Sequence, residues 1–335
     1  MTHDTSFSQS VAAFVADWNS ARPTMTVHTS GSTGKPKAIE VEKARMAASA
    51  RMTCEFLGLQ PGQSALLCLP VEYIAGKMVI VRALTCGLRL LPVEPSNRPL
   101  SGLDKSPDFA AFVPSQVYET LRFPEEARCL EGIGQTLIGG GAIAPDLQER
   151  LRDLPNPVWS TYGMTETLSH VALRRLNGPG ASDWYTPLPG VEVGQDASGC
   201  LTVYAPRVNP ARLTTHDLAE LRPDGQFRIL GRKDNTIISG GVKIQLEDVE
   251  TALRPSLTRP FIATSVPDGK YGEILVLLIE GCPMAEDLLN ALCAKCLPVY
   301  HRPKHYFFLD RLPVTVSGKP ARKEARSIAR AMAGR

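Results

Sequence analysis

The chain has 335 residues, 43% of them hydrophobic and 21% charged, a balance that excludes a mainly disordered protein. Thirty-seven basic against 34 acidic side chains leave a formal charge of +3, too mild to point to nucleic acid or an anionic membrane as the main partner. At about 150 residues per domain the length suggests two domains, and no apolar run reaches the ~18 residues of a membrane span. The first ten residues lack the basic and apolar regions of a signal peptide. Eight scattered cysteines form no disulfide framework, so a reducing cytoplasmic setting is expected.

In chain order, Phe7, Val11, Phe14, Val15 and Trp18 recur at helical spacing and predict an amphipathic helix over 6–21. A β-like run at 24–28 opens onto a Ser/Thr/Gly-rich loop, and 42–57 reads as a second helix. Short apolar runs at 65–69, 88–93, 109–113, 135–138 and 158–160 then alternate with helical stretches, which predicts an α/β domain around a largely parallel sheet. The texture changes near Gly199, after which 200–204, 219–222 and 226–230 look like short strands, with a turn at Pro223-Asp224-Gly225-Gln226. A smaller α+β unit follows Gly231: a helix over 244–253, strands over 261–267 and 274–279, a helix over 285–296 and a strand over 306–309. The basic tail from Arg322 reads as a solvated amphipathic helix. Cys293 and Cys296 form a single pair on an apolar helix, which favours packing over zinc or redox chemistry.

The densest local signal is Thr29-Ser30-Gly31-Ser32-Thr33-Gly34-Lys35-Pro36-Lys37. Glycines let successive N–H groups converge, and hydroxyls and lysines add donors for phosphate oxygens. A Walker loop needs four residues between its first Gly and the Gly-Lys pair, then Ser or Thr; here two residues separate Gly31 from Gly34 and Pro36 follows Lys35. A P-loop NTPase is therefore disfavoured.

This loop resembles the phosphate-binding signature of the adenylate-forming superfamily of acyl-CoA synthetases, adenylation domains and luciferases. Four further segments in order extend the resemblance: Ser160 to Thr167 with its Tyr-Gly, Thr and Glu; Asp217 followed by Gly231-Arg232-Lys233-Asp234; Ser239-Gly240-Gly241 leading to Glu250; and Pro313 to Lys319 with a late Gly-Lys. Two departures stand out: Ala38 where a Gly is usual after the loop, and His216 where Thr-Gly-Asp is usual. The chain begins shortly before the phosphate loop, so the resemblance implies an adenylate-forming fold with a truncated large domain over 1–230 and a small mobile α+β domain over 231–335. Residues 69–84 and 165–173 are similar to those of a compact subgroup, the o-succinylbenzoate–CoA ligases of menaquinone biosynthesis.

What the resemblance implies can be placed residue by residue. Thr29, Ser30, Gly31, Ser32, Thr33, Gly34 and Lys37 would cradle the ATP phosphates. Gly139, Gly140, Gly141 and Ala142 would form one side of the adenine site, with Tyr162 and Gly163 on the other, and Asp217 with Arg232 would hold the ribose. Asp217 paired structurally with a neighbouring cation is the plainer alternative. Lys319 would bridge carboxylate and α-phosphate, Thr165 would touch phosphate, and Glu166 would ligate Mg²⁺. Asp234 would be the hinge, and Gly240 and Gly241 would line the path of coenzyme A. Tyr73, Lys77, Ser169 and His170 would border the pocket for an aromatic carboxylic acid, where a buried cation needs a counter-charge. Lys77 reaching solvent and His170 as a packed core histidine are the alternatives there. The expected partners are small molecules only, a homo-oligomer is left open, and the rival functions are another aryl-CoA ligase, a module that loads a carrier protein, or a nucleotide-binding relative without activity.

Overall fold

The computed structural model describes residues 4–28, 38–141, 143–315 and 319–334, with the side chains of residues 4 and 5 left aside. The phosphate-loop residues Thr29 to Lys37, together with Ala142, Ser317 and Gly318, lie outside the described residues.

A seven-stranded sheet runs in the order Arg89–Pro92, Ser64–Leu67, Phe109–Phe112, Gln135–Ile138, Val158–Gly163, His170–Arg175, Thr186–Pro187. Its first five strands are parallel and the last two antiparallel. Neighbouring residues on each strand enter different cores, as a period of two requires: Leu67, Phe109 and Leu137 join one cluster, and Leu66, Ala110 and Ile138 the other. Helices Lys43–Leu57 and Ile74–Cys86 cover the first face, whereas Pro114–Thr120, Pro124–Glu131 and Pro145–Leu151 cover the second. Burial on both faces is why these strands read as short continuous apolar runs.

A four-stranded antiparallel sheet follows, in the order Glu192–Gln195, Cys200–Ala205, Asn209–Leu221, Phe227–Arg232. The third sheet carries Val242–Gln245, Thr236–Ser239, Gly272–Glu280 and Phe261–Asp268, with His305–Leu309 parallel to Gly272–Glu280. A two-stranded ribbon pairs Thr24–His28 with Ala38–Glu42 and so closes the two ends of the phosphate-loop segment together. No helix among the described residues is long and apolar enough to cross a membrane.

Three expectations change. The helix expected over 244–253 begins only at Leu246, because Val242–Gln245 pairs with Thr236–Ser239 as a hairpin. Its two-residue turn is Gly240-Gly241, with φ of 57° and 85°, the left-handed pair that such a turn demands. The segment expected as a short strand over 219–222 is the end of a long strand, Asn209–Leu221. The tail helix Arg322–Ala333 is docked rather than merely solvated: Ala325 and Ala329 are buried in a core with Ile262, Val266 and Val276, and Arg322 and Arg326 pair with Glu250 and Glu273.

Candidate active site

The parallel strands end at one edge of the seven-stranded sheet, where open α/β sheets generally bind ligands, and Gly139, Gly140, Gly141, Tyr162 and Gly163 lie there. Gly139 follows strand Gln135–Ile138 and its N–H donates to the Phe112 carbonyl at 3.0 Å. A Cβ at Gly139 would meet Thr161 Oγ1 at 2.3 Å, so any larger residue here would force the Thr161 side chain to move. Gly140 takes φ 79°, again outside the range of ordinary side chains. Gly163 is equally constrained: a Cβ there would lie 2.3 Å from the Ser169 carbonyl oxygen, across a register shift between the two antiparallel strands.

Tyr162 connects this edge to the four-stranded sheet. Its hydroxyl donates to Asp217 Oδ2 at 2.7 Å, and its ring packs edge-on against Phe227 with centroids 5.1 Å apart. Burial first, and Asp217 next, push the phenol well above its usual pKa, so it stays a neutral donor. Asp217 and Arg232 are register partners on adjacent strands, and Arg232 Nη1 donates to Asp217 Oδ1 at 3.1 Å. The other arm of Arg232 reaches Asp234 Oδ2 at 3.2 Å, while His216 Nδ1 lies 2.9 Å from Asp234 Oδ1. The unusual His216 thus meets the expected hinge carboxylate.

Lys319 stands in the same neighbourhood, although it is 102 residues beyond Asp217. Burial of its ammonium and the charge of Arg232 lower its pKa, and Asp217 opposes them. Its backbone N–H donates to Thr315 Oγ1 at 3.1 Å and its carbonyl accepts from the Thr315 N–H at 2.7 Å. Three residues on, Arg322 grips the buried Glu250 with Nη1–Oε1 and Nη2–Oε2 distances of 3.1 and 2.8 Å. Glu250 Oε1 also accepts from the Ala263 N–H at 2.9 Å, so the segment that carries Lys319 is anchored to a strand and a helix at once.

Thr165 and Glu166 form a one-turn helix with Thr167. The Glu166 carboxylate is exposed and, among the described residues, carries no ion pair or hydrogen bond; its carbonyl accepts from Asn209 Nδ2 at 3.0 Å. No group of three His, Cys, Asp or Glu residues is arranged to hold a metal among the described residues. A lone hard carboxylate fits Mg²⁺, which commonly takes one or two protein oxygens and completes its shell with phosphate and water.

The expected acid pocket divides. Ser169 and His170 come together with a residue that was not among the expected pocket residues, Arg82. Arg82 is 2% exposed, its Nη2 donates to Ser169 Oγ at 2.5 Å, and its buried Nε has no acceptor. It has no carboxylate partner among the described residues, and burial lowers its pKa to about 10, which still leaves it charged at neutral pH. His170 Nε2 meets the buried Thr53 Oγ1 at 2.9 Å, and Nδ1 lies 3.3 Å from Ser169 Oγ. Burial, then Arg82, hold that imidazole well below its usual pKa and hence neutral. Lys77 is buried too, but its Nζ donates to the Thr26 carbonyl at 3.4 Å, beside the ribbon rather than Ser169. Tyr73 is 38% exposed at the start of helix Ile74–Cys86.

The family model for AMP-binding enzymes matches residues 4–195. The chain belongs to the AMP-binding enzyme family. Among solved structures, it is 38% identical to an acyl-CoA synthetase (AMP-forming)/AMP-acid ligase II-like protein from Dyadobacter fermentans, covering 97% of this chain and 95% of that one with a TM-score of 0.67. A 2-succinylbenzoate–CoA ligase from Lactococcus lactis is 29% identical over 331 residues, 92% of this chain and 72% of the relative. The fold is also that of the o-succinylbenzoate CoA synthetase of Bacillus subtilis solved with its acyl-adenylate intermediate, at 24% identity and a TM-score of 0.74 over 90% of this chain and 68% of that one. Among the described residues, Tyr162, Asp217, Arg232 and Lys319 lie near one another although they come from separate parts of the chain.

Proposed function

We propose that this AMP-binding enzyme is an ATP-dependent, AMP-forming 2-succinylbenzoate–CoA ligase of menaquinone biosynthesis. The observation that carries the reading is the convergence of Lys319, from the end of the chain, on Asp217 and Arg232. In the first half-reaction a carboxylate oxygen attacks the α-phosphorus and pyrophosphate leaves; in the second the coenzyme A thiol attacks the acyl carbonyl and AMP leaves. Both transition states are helped chiefly by positioning and by cations placed where negative charge gathers.

In this reading Lys319 supplies the cation between carboxylate and α-phosphate, and its lowered pKa reflects a head group that awaits an anion. Asp217 accepts from the ribose hydroxyls, with Arg232 and Tyr162 fixing its two oxygens. Gly139, Gly140, Gly141 and Ala142 with Gly163 shape the adenine site, and Thr29, Ser30, Gly31, Ser32, Thr33, Gly34 and Lys37 hold the phosphates with Thr165. Glu166 would hold Mg²⁺, which supplies charge neutralisation at the phosphates when bound. Residues 1–230 form the large domain and 231–335 the mobile one, with Asp234 as hinge and Gly240 and Gly241 facing coenzyme A. The second, aromatic carboxylate of the acid goes to Arg82 with Ser169 and His170, ahead of Lys77 and Tyr73. A buried cation that lacks a carboxylate is what a dicarboxylate substrate would complete.

The test is pyrophosphate release across a panel of carboxylic acids, with and without coenzyme A. Release with o-succinylbenzoate, and thioester on adding coenzyme A, is expected. Release with monocarboxylic aryl acids but not with o-succinylbenzoate would refute the substrate, and an adenylate that coenzyme A does not discharge would refute the acceptor.

A further inference from the structure

Behind Arg82 lies a feature that the ligase reaction does not use. Helices Lys43–Leu57 and Ile74–Cys86 pack side by side, and Cys54 and Cys86 sit in their last turns. Both line one cavity of about 300 Å³, with Arg51, Glu55, Gln60 and Thr85 around them. Cys54 is buried and Cys86 half-buried, and the two thiols lie close enough to influence each other's protonation. The neighbouring Cys86 thiol and burial push the Cys54 pKa far up, so Cys54 stays protonated. Cys86 moves the other way, lowered by the neighbouring Cys54 thiol and by Arg82 and Arg51 against the effect of burial. A part-exposed thiol with added thiolate character beside a protonated partner is the arrangement of an oxidisable cysteine with its resolving thiol.

We propose that Cys54 and Cys86 form an oxidation site, closed to a disulfide by hydrogen peroxide, that weakens acid binding through Arg82. The last clause rests on the ligase reading above. Hydrogen peroxide is the oxidant. The Cys86 thiolate attacks one oxygen, an S–O bond forms, the O–O bond breaks, and hydroxide leaves to take up the Cys86 proton as water. The Cys54 sulfur then attacks the sulfenic sulfur, the S–S bond forms, and the S–O oxygen leaves as water with the Cys54 proton. Two thiols and one peroxide give one disulfide and two waters.

The coupling to the acid site is short. Cys86 lies four residues after Arg82 on one helix, and Cys54 directly follows Thr53, which holds His170 at 2.9 Å. The Cys86 thiolate would also stabilise the Arg82 charge electrostatically. A disulfide fixes the spacing of the two helix ends and removes any thiolate from beside that guanidinium.

The experiment treats the full-length enzyme with hydrogen peroxide, maps its thiols by peptide mass spectrometry, and measures KM for o-succinylbenzoate and for ATP. A Cys54–Cys86 crosslink is expected, with KM for the acid raised about tenfold, as loss of one charge-assisted contact would give, and KM for ATP unchanged. Dithiothreitol should reverse both, and Cys86→Ser should keep its untreated KM under peroxide, whereas Cys282→Ser, which removes the exposed thiol, should give no protection. Free Cys54 and Cys86 in the inactivated enzyme, equal inactivation of Cys86→Ser, or a crosslink without a change in KM would each overturn the proposal. Absence of o-succinylbenzoate turnover in untreated enzyme would sink the ligase reading instead, and the peptide map would still decide whether the crosslink forms.

Discussion

Replacing Arg82 should move stability and activity in opposite directions. Its guanidinium is 2% exposed, makes its hydrogen bond to Ser169 Oγ, leaves Nε without an acceptor, and has no carboxylate partner among the described residues. A buried donor left unsatisfied costs about 1–3 kcal/mol, and an unpaired buried charge costs more. Arg82→Met keeps the length and apolar stem but removes charge and donors, so the substrate-free protein should be stabilised by about 1 kcal/mol, or roughly 2 °C in Tm at this size. The same change deletes the proposed partner of the aromatic carboxylate. A charge-assisted contact of about 1.5–3 kcal/mol corresponds to a ten- to hundredfold loss in kcat/KM. The assay compares o-succinylbenzoate with an analogue that lacks the aromatic carboxylate, because misfolding would depress both alike. A Tm several degrees lower together with an unchanged ratio would refute the argument, since Arg82 would then be a structural cation whose partners matter to the fold.

Lys319→Ala should reduce acyl-adenylate formation by at least about a hundredfold and largely spare thioester formation from preformed adenylate, by single-turnover assay of each step; equal losses would remove the lysine from the first step. His170 is buried and held neutral, so the unfolded chain takes up its proton near pH 6.5 while the folded chain does not. Stability should therefore fall by up to about 1.4 kcal/mol per pH unit from this group as pH drops below 6.5, until the lowered folded pKa is reached. His170→Gln, which keeps a donor and an acceptor, should flatten the denaturant midpoint between pH 6.5 and 5. Gly163→Ala forces a methyl to within 2.3 Å of the Ser169 carbonyl, so it should destabilise by more than about 2 kcal/mol in urea melts and impair ATP use.

Much of the architecture is written in local chemistry. The parallel strands were legible because both faces are buried, which favours short apolar runs such as 65–67. Gly240-Gly241 can make the tight turn because few other residues take positive φ twice in succession, but the sequence marked the pair only through its resemblance. Misreading 244–245 as helix has a matching cause. Ile244 and Gln245 have no local preference strong enough to reject a helix, and only pairing with Ile237 and Thr236 makes them strand.

The residues proposed to hold the nucleotide were readable as types in order, but the proximity of those described was not. Asp217 and Arg232 become partners through strand register, and Lys319 reaches them because Arg322 is anchored on Glu250, 72 residues earlier in the chain. The proposed acid site shows the limit most clearly. Lys77 and Arg82 stand on one helix, five residues and so about 140° apart around its axis. Helical geometry dictates that they face different neighbours, yet it is silent on which neighbours those are. Packing of Ile74–Cys86 against Lys43–Leu57 and the strand from His170 turns Arg82 toward Ser169 and leaves Lys77 at the Thr26 carbonyl. A sequence holds the angle between two side chains on a helix, but the rotation of that helix against its surroundings is a property of the packed core alone.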